Sequence, residues 1–171
     1  GSGFSESKAY ASVLFSRGCP FKCDYCHISK ELNGSNSGNI RSVRMKSIPR
    51  ILEELNILKD MGIKYVFIED DSLLAKKKRA KEIFNHLISM NLELADVNGI
   101  NLSHLCTKVN GSFEVDDELI ELMAAAGFKK LVFPVESGSQ RILNKYASGK
   151  LNLKNHNVIG LIKKAKNLNM E

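Results

Sequence analysis

The sequence predicts an α/β fold: four βα units whose strands run parallel in one sheet. Two observations carry that expectation and a third bounds it. Short apolar runs alternate with segments of helical periodicity along nearly the whole chain. Residues able to do chemistry follow each of the four apolar runs, where parallel α/β sheets place their sites. The length, 171 residues, falls short of the roughly 250 of a closed eight-unit barrel. Half a barrel, an open sheet or a truncated chain is therefore expected.

The first strand is read over "YASVLFS" (10–16), rich in Val, Leu and Phe. A Gly-, Asn- and Ser-rich loop follows, from Arg17 to about Arg44, and carries three cysteines. "SIPRILEELNILKDMG" predicts a helix capped by Ser47, with Pro49 in its first turn, apolar residues at 48, 51, 52, 55, 58 and 61, and Gly62 as its stop. "KYVFIE" (64–69) is the second strand, and a helix is expected from about Leu74 to Met90 with Ile83, Phe84, Leu87 and Ile88 on one face. "LELADVNGI" (92–100) reads as the third strand, and "DDELIELMAAAG" (116–127) as a capped helix closed by glycine. "KKLVFPV" (129–135) is the fourth strand, ended or bent by Pro134. "SGSQRIL" opens a helical region, and "NHNVIGLIKKAKNL" predicts the last helix. Right-handed crossovers would set all four strands parallel.

Composition is ordinary for a globular chain, at 43% hydrophobic and 26% charged residues. Net charge is +6, from 25 Lys and Arg against 19 Asp and Glu. The excess is scattered, and the one dense run, "KKKR" (76–79), lacks interleaved aromatics. It reads as a solvated helix start, so nucleic acid is a possible partner but not the favoured one. No apolar run approaches a membrane span and nothing reads as a signal peptide, so no membrane partner and a cytoplasmic, reducing location are expected. "GSG" (1–3) reads as a cloning remnant, leaving 4–171 as one domain.

"SRGCPFKCDYCHIS" (16–29) holds three of the four cysteines in a C-x₃-C-x₂-C pattern. A disulfide would need a very tight ring and leave one thiol over. Zinc wants four ligands, and His27 with the distant Cys106 would complete a set. That alternative is a zinc-stabilised module binding nucleic acid. An iron–sulfur cube accepts thiolates at its corners, and three of them leave one iron open for a substrate or cofactor. Past the other strands lie Glu69, Asp70 and Asp71, then Asn101, then Glu136 and Ser137.

"CPFKCDYC" after a first strand resembles the signature of the radical S-adenosylmethionine (SAM) superfamily, including an aromatic, Tyr25, before the third cysteine. The resemblance runs from about residue 10 to the end. "FIEDDS", "NGI" and "ELIELMAAAGFKKLVFPVESGSQRIL" are similar to the cobalamin-associated and methylthiotransferase-like branches. It implies a partial (βα) barrel of the radical SAM type, with about four βα units present and the later strands lacking. It implies a 4Fe-4S cluster on Cys19, Cys23 and Cys26, and SAM on its open iron. The cluster would reductively cleave SAM to a deoxyadenosyl radical that abstracts hydrogen from a substrate the sequence does not name. A one-electron donor such as flavodoxin or ferredoxin, oxygen sensitivity, and possibly cobalamin on a domain outside this chain follow from the same resemblance. A cluster-bearing but inactive scaffold is the second alternative.

Within the resemblance, Tyr25 is expected beside the adenine, Asp70 or Asp71 near the SAM ammonium, and Glu136 near the ribose or ammonium. Ser137 would contact SAM, and Ser139 would cap the next helix. Two departures stand out. Related sequences often carry a basic residue where this chain has Asn101, so the contact to the SAM carboxylate would be weaker or come from elsewhere. "SHLCTKVNGSFEV" (103–115) resembles an insertion, and its Cys106 is read as a buried structural thiol. His27, His86, His104 and His156 show no ligand spacing and read as surface or packing residues.

Overall fold

The computed structural model describes residues 9–30, 42–110, 112–147 and 149–171. The expected remnant at 1–3 and residues 31–41 of the cysteine loop lie outside them.

The apolar run at 10–16 forms two elements: β1 (Tyr10–Val13) and the short β2 (Ser16–Arg17). The break has a long-range cause. The Asp70 carboxylate accepts the Phe15 N–H at 2.7 Å and the Ser16 hydroxyl at 2.5 Å, which draws the chain off the sheet. After a one-turn helix, α1 (His27–Lys30), the strand β3 (Arg44–Met45) pairs antiparallel with β2. Helix α2 (Ile48–Asp60) starts as expected, with the Ser47 hydroxyl accepting the Arg50 N–H at 3.4 Å. It buries Ile51 and Leu55.

Strand β4 (Tyr65–Ile68), helix α3 (Lys77–Leu87) with a 3-10 turn over Ile88–Met90, and strand β5 (Glu93–Asp96) complete the next units. Two members of the "KKKR" run have internal partners. Lys77 bonds the Cys106 carbonyl and Asp116, and Arg79 bonds the Lys46 carbonyl. The segment that resembles an insertion folds as a 3-10 turn, Leu102–Leu105, and an antiparallel hairpin of β6 (Cys106–Val109) and β7 (Ser112–Val115). Helix α4 (Asp117–Ala125) is capped by Asp116, whose carboxylate accepts the Leu119 N–H at 3.1 Å. Gly127 then turns the chain at φ 102°, and a Cβ there would stand 2.1 Å from the Leu92 carbonyl oxygen. No other residue type fits that passage without moving backbone.

Strand β8 (Phe128–Lys130) is shorter than the expected 129–135, because its register with β5 shifts between Leu94 and Ala95. Beyond the shift Val132 pairs with Ile100 instead, through the Ile100 N–H at 2.8 Å, and Pro134 packs on Gly99. Helices α5 (Gln140–Tyr146) and α6 (Val158–Asn167) follow. Ser139 sits at the N-cap of α5 but its hydroxyl makes no capping bond; the Ser137 hydroxyl accepts the Ser139 N–H instead, at 3.0 Å. The α6 cap is Asn157.

The main sheet is parallel, in the order β1-β4-β5-β8, so each strand lies beside its predecessor in the βα series. Register places Val66, Leu94 and Phe128 on the face that packs against the helices, where Phe84 meets Phe128 edge-on at 5.2 Å. Glu171 donates to the Lys129 carbonyl and accepts from the Leu131 N–H, a parallel ladder along the outer edge of β8. Parallel strands in sequential order, with helices packed on the face of Val66, Leu94 and Phe128, give a partial (βα) barrel.

Candidate functional site

Loops from the carboxyl ends of all four main strands meet around one cavity of about 330 Å³. It is lined by Cys19, Cys23 and Cys26 from the first loop, Asp71 from the second, Asn98 from the third, Pro134 and Glu136 from the fourth, and Lys150. The cysteine loop is held at its root by the two acids after β4. Asp70 fixes Phe15 and Ser16, and the Asp71 carboxylate accepts the Gly18 N–H at 2.7 Å. Gly18 has φ 93°, which lets the backbone aim that N–H at Asp71 as the loop begins. The Asp24 N–H bonds the Tyr146 carbonyl at 2.8 Å, tying the middle of the loop to α5.

The cysteines are free thiols, Cys23 buried and the other two half-buried. Burial pushes the Cys19 thiol up, Cys23 and Cys26 add to the rise, and the Phe21 backbone bond and Lys150 oppose it. A metal bound at such thiols takes them as thiolates. Among the described residues no group of three or more His, Cys, Asp or Glu side chains is arranged to hold a metal ion. Cys106 lies in the hairpin, buried and away from the cavity lining, as expected of a structural thiol. Nothing among the described residues therefore supports the zinc set. Three thiolates around one cavity fit a cluster, whose ligands sit on different irons and need not surround a single ion.

The expected SAM contacts divide. Tyr25, Asp71 and Glu136 line the cavity. Tyr25 is 54% exposed. Partial burial and hydrogen bonding to Cys23 and Glu136 hold its hydroxyl above the usual tyrosine range. Asp70 does not reach the cavity: it is 1% exposed and its two oxygens are occupied by Phe15 and Ser16. Asn101 does not reach it either. Its side-chain oxygen accepts from the Ser103 N–H and hydroxyl, capping the 3-10 turn, while its amide nitrogen is buried without a partner. Ser137 lines a neighbouring cavity of about 360 Å³ together with Tyr25, Glu136 and Tyr146.

The cavity also takes residues that the sequence did not assign to SAM, among them Asn98, His27 and Lys150. Asn98, three positions before Asn101, donates to the Glu69 carbonyl at 2.7 Å and faces the cavity. His27 also lines it. Lys150 is the consequential one: it is largely buried and its ammonium pairs with Glu136, which sits at φ 65°. A non-glycine residue held in the left-handed region is a common mark of a functional turn. No spacing rule points to Lys150, since it comes from an irregular loop beyond α5.

The family model of the radical SAM superfamily matches residues 13–171. Among curated proteins, the chain is similar to the cytidylyl-2-hydroxyethylphosphonate methyltransferase of Streptomyces wedmorensis, at 30% identity over 98% of this chain and 30% of that protein. It is similar to the hopanoid C-2 methylase of Rhodopseudomonas palustris, at 28% identity over 74% of this chain and 22% of that protein. Its fold matches TsrM, a radical SAM methyltransferase from Kitasatospora setae solved with cobalamin and a [4Fe-4S] cluster, with a TM-score of 0.70 at 16% identity, over 95% of this chain and 28% of that one. The chain spans less than a third of the length of these relatives. With a family model covering nearly all of it and the three cysteines meeting at one cavity, the chain belongs to the radical SAM superfamily.

Proposed function

We propose that the cavity at the strand ends is a cluster and SAM site, and that the chain is the radical-generating core of a methyltransferase. The convergence of Cys19, Cys23, Cys26, Glu136 and Lys150 on one cavity carries this reading. Family membership implies a 4Fe-4S cluster and SAM as cofactors. The chemistry the cluster supplies when bound is one-electron reductive cleavage of SAM, giving a radical that removes hydrogen from a substrate.

The chain's residues have separate tasks. Cys19, Cys23 and Cys26 hold the cluster. Asp71, bonded to Gly18, fixes the approach of their loop and leaves a carboxylate edge on the cavity. Glu136 accepts hydrogen bonds from the SAM ammonium, and Lys150 faces its carboxylate, supplying the positive charge that Asn101 lacks. The ion pair between Glu136 and Lys150 keeps both groups ordered, and a zwitterionic amino acid head matches both signs. Tyr25 borders the adenine, and Pro134 and Phe21 add apolar lining.

Methyl transfer as the outcome is supported by the named activities of the two curated relatives. In this proposal cobalamin belongs to a domain outside this chain, and no residue of the chain is assigned to it. The reductant is a small one-electron carrier such as flavodoxin or ferredoxin. Anaerobic reconstitution with iron and sulfide, then electron paramagnetic resonance (EPR) of the reduced protein with and without SAM, tests the site. A reduced-cluster signal that changes on adding SAM is expected; a protein that takes up no cluster overturns the reading.

A further inference from the structure

A second cavity, of about 370 Å³, lies beside the cysteine loop and shares no lining residue with the first. Leu14, Ser16, Arg17, Arg44, Met45 and Lys46 line it. The volume is within the range of small-molecule sites. Its walls are the ribbon of β2 and β3, where Arg17 and Arg44 are direct cross-strand partners. Side chains so paired project from one face with their Cβ atoms about 5 Å apart, and like charges in that relation oppose pairing. The ribbon is two residues long on each strand and has little ladder to offset that repulsion.

Two nearby bases among the described residues are engaged. Lys46 pairs with Glu54 at 2.6 Å, and Arg79 bonds the Lys46 carbonyl. Among the described residues, neither Arg17 nor Arg44 has an ion-pair partner. Arg17 and Arg44 therefore both line one cavity without a described counter-charge, and Leu14 and Met45 add apolar wall beside them.

We infer that the β2–β3 cavity binds the phosphate group of a small organic molecule between Arg17 and Arg44. Paired guanidinium groups match the bidentate geometry of a phosphate oxyanion. An occupant of that charge also removes the repulsion across the ribbon, and Leu14 and Met45 cover the organic part. The small volume and the lack of aromatic side chains among the described lining residues favour a compact molecule over a nucleic acid strand. The site stands independently of the cluster reading, since no cysteine lines it.

Calorimetric titration with phenyl phosphate, inorganic phosphate and a short single-stranded RNA tests this, on the protein before and after cluster reconstitution. The expected result is saturable one-to-one binding of phenyl phosphate, tighter than inorganic phosphate and the same with or without cluster. Arg44→Gln weakens it about tenfold, as does Arg17→Gln. Lys78→Gln, an exposed charge on α3, changes it less than about twofold. Absence of saturation by about 10 mM, wild-type affinity in Arg44→Gln, or tighter binding of the RNA overturns the proposal.

Discussion

The two sides of the cysteine cavity are built differently. On the side of β1 and β4, carboxylates bond to the protein itself: Asp70 to Phe15 and Ser16, Asp71 to Gly18. On the side of β8, Glu136 meets Lys150 across the cavity rim, on irregular backbone and with both charges present. The first side is a clamp, in which a buried acid fixes the loop that carries the thiols. The second keeps a paired anion and cation facing the cavity. Acids at equivalent strand ends thus take opposite tasks, and burial with available N–H donors decides which.

The largest effect should come from the thiols themselves. Cys23→Ser is expected to reduce cluster occupancy by at least about tenfold, measured as iron and sulfide per chain after reconstitution. Next comes the clamp. Asp70→Ala leaves the Phe15 N–H and Ser16 hydroxyl without their acceptor, and urea unfolding should show a loss of about 2–4 kcal/mol. If stability is unchanged, the clamp reading fails. The opposite side should behave in the reverse sense. Lys150→Met should weaken SAM binding by the reconstituted protein about tenfold. It should cost less stability than Asp70→Ala, because the pair keeps some contact with solvent while Asp70 is 1% exposed. A variant that lost stability but kept SAM affinity would put Lys150 in the clamp class.

Asp96 sharpens the role of burial through pH rather than through a lost contact. It closes β5, is 0% exposed, and has one oxygen on the Gly99 N–H and the other without a partner. Burial pushes its carboxyl from 3.8 up to about 7. The folded state holds a proton there that the unfolded chain gives up. The resulting stability is full below about pH 4 and is lost as pH rises through about 7. Asp70 is also raised, first by burial, and adds the same sign. Unfolding midpoints should fall between about pH 4 and 7, and Asp96→Asn should flatten that slope.

Much of the fold was legible because its signals are local. Caps at Ser47 and Asp116, the stop at Gly127 and the apolar periodicity of α2 and α3 all act within a turn or two of the chain. Strand ends were not legible where distant groups decide them. Asp70 splits the first apolar run from 54 and 55 positions away, and a register shift shortens β8. The cysteines share one short loop, so their spacing already predicted that they meet at one cavity. Asp70 and Asp71 look alike in sequence; only the positions of Phe15, Ser16 and Gly18 separate the buried clamp from the cavity acid. Lys150 has no motif, and the fold alone brings it to Glu136.

The most direct measurement is Mössbauer spectroscopy of protein reconstituted with iron-57, recorded with and without SAM. If three cysteines hold a cluster whose remaining iron faces Glu136 and Lys150, one iron site should change its isomer shift when SAM is added while the others keep theirs. A spectrum in which every iron site is the same with and without SAM would contradict it.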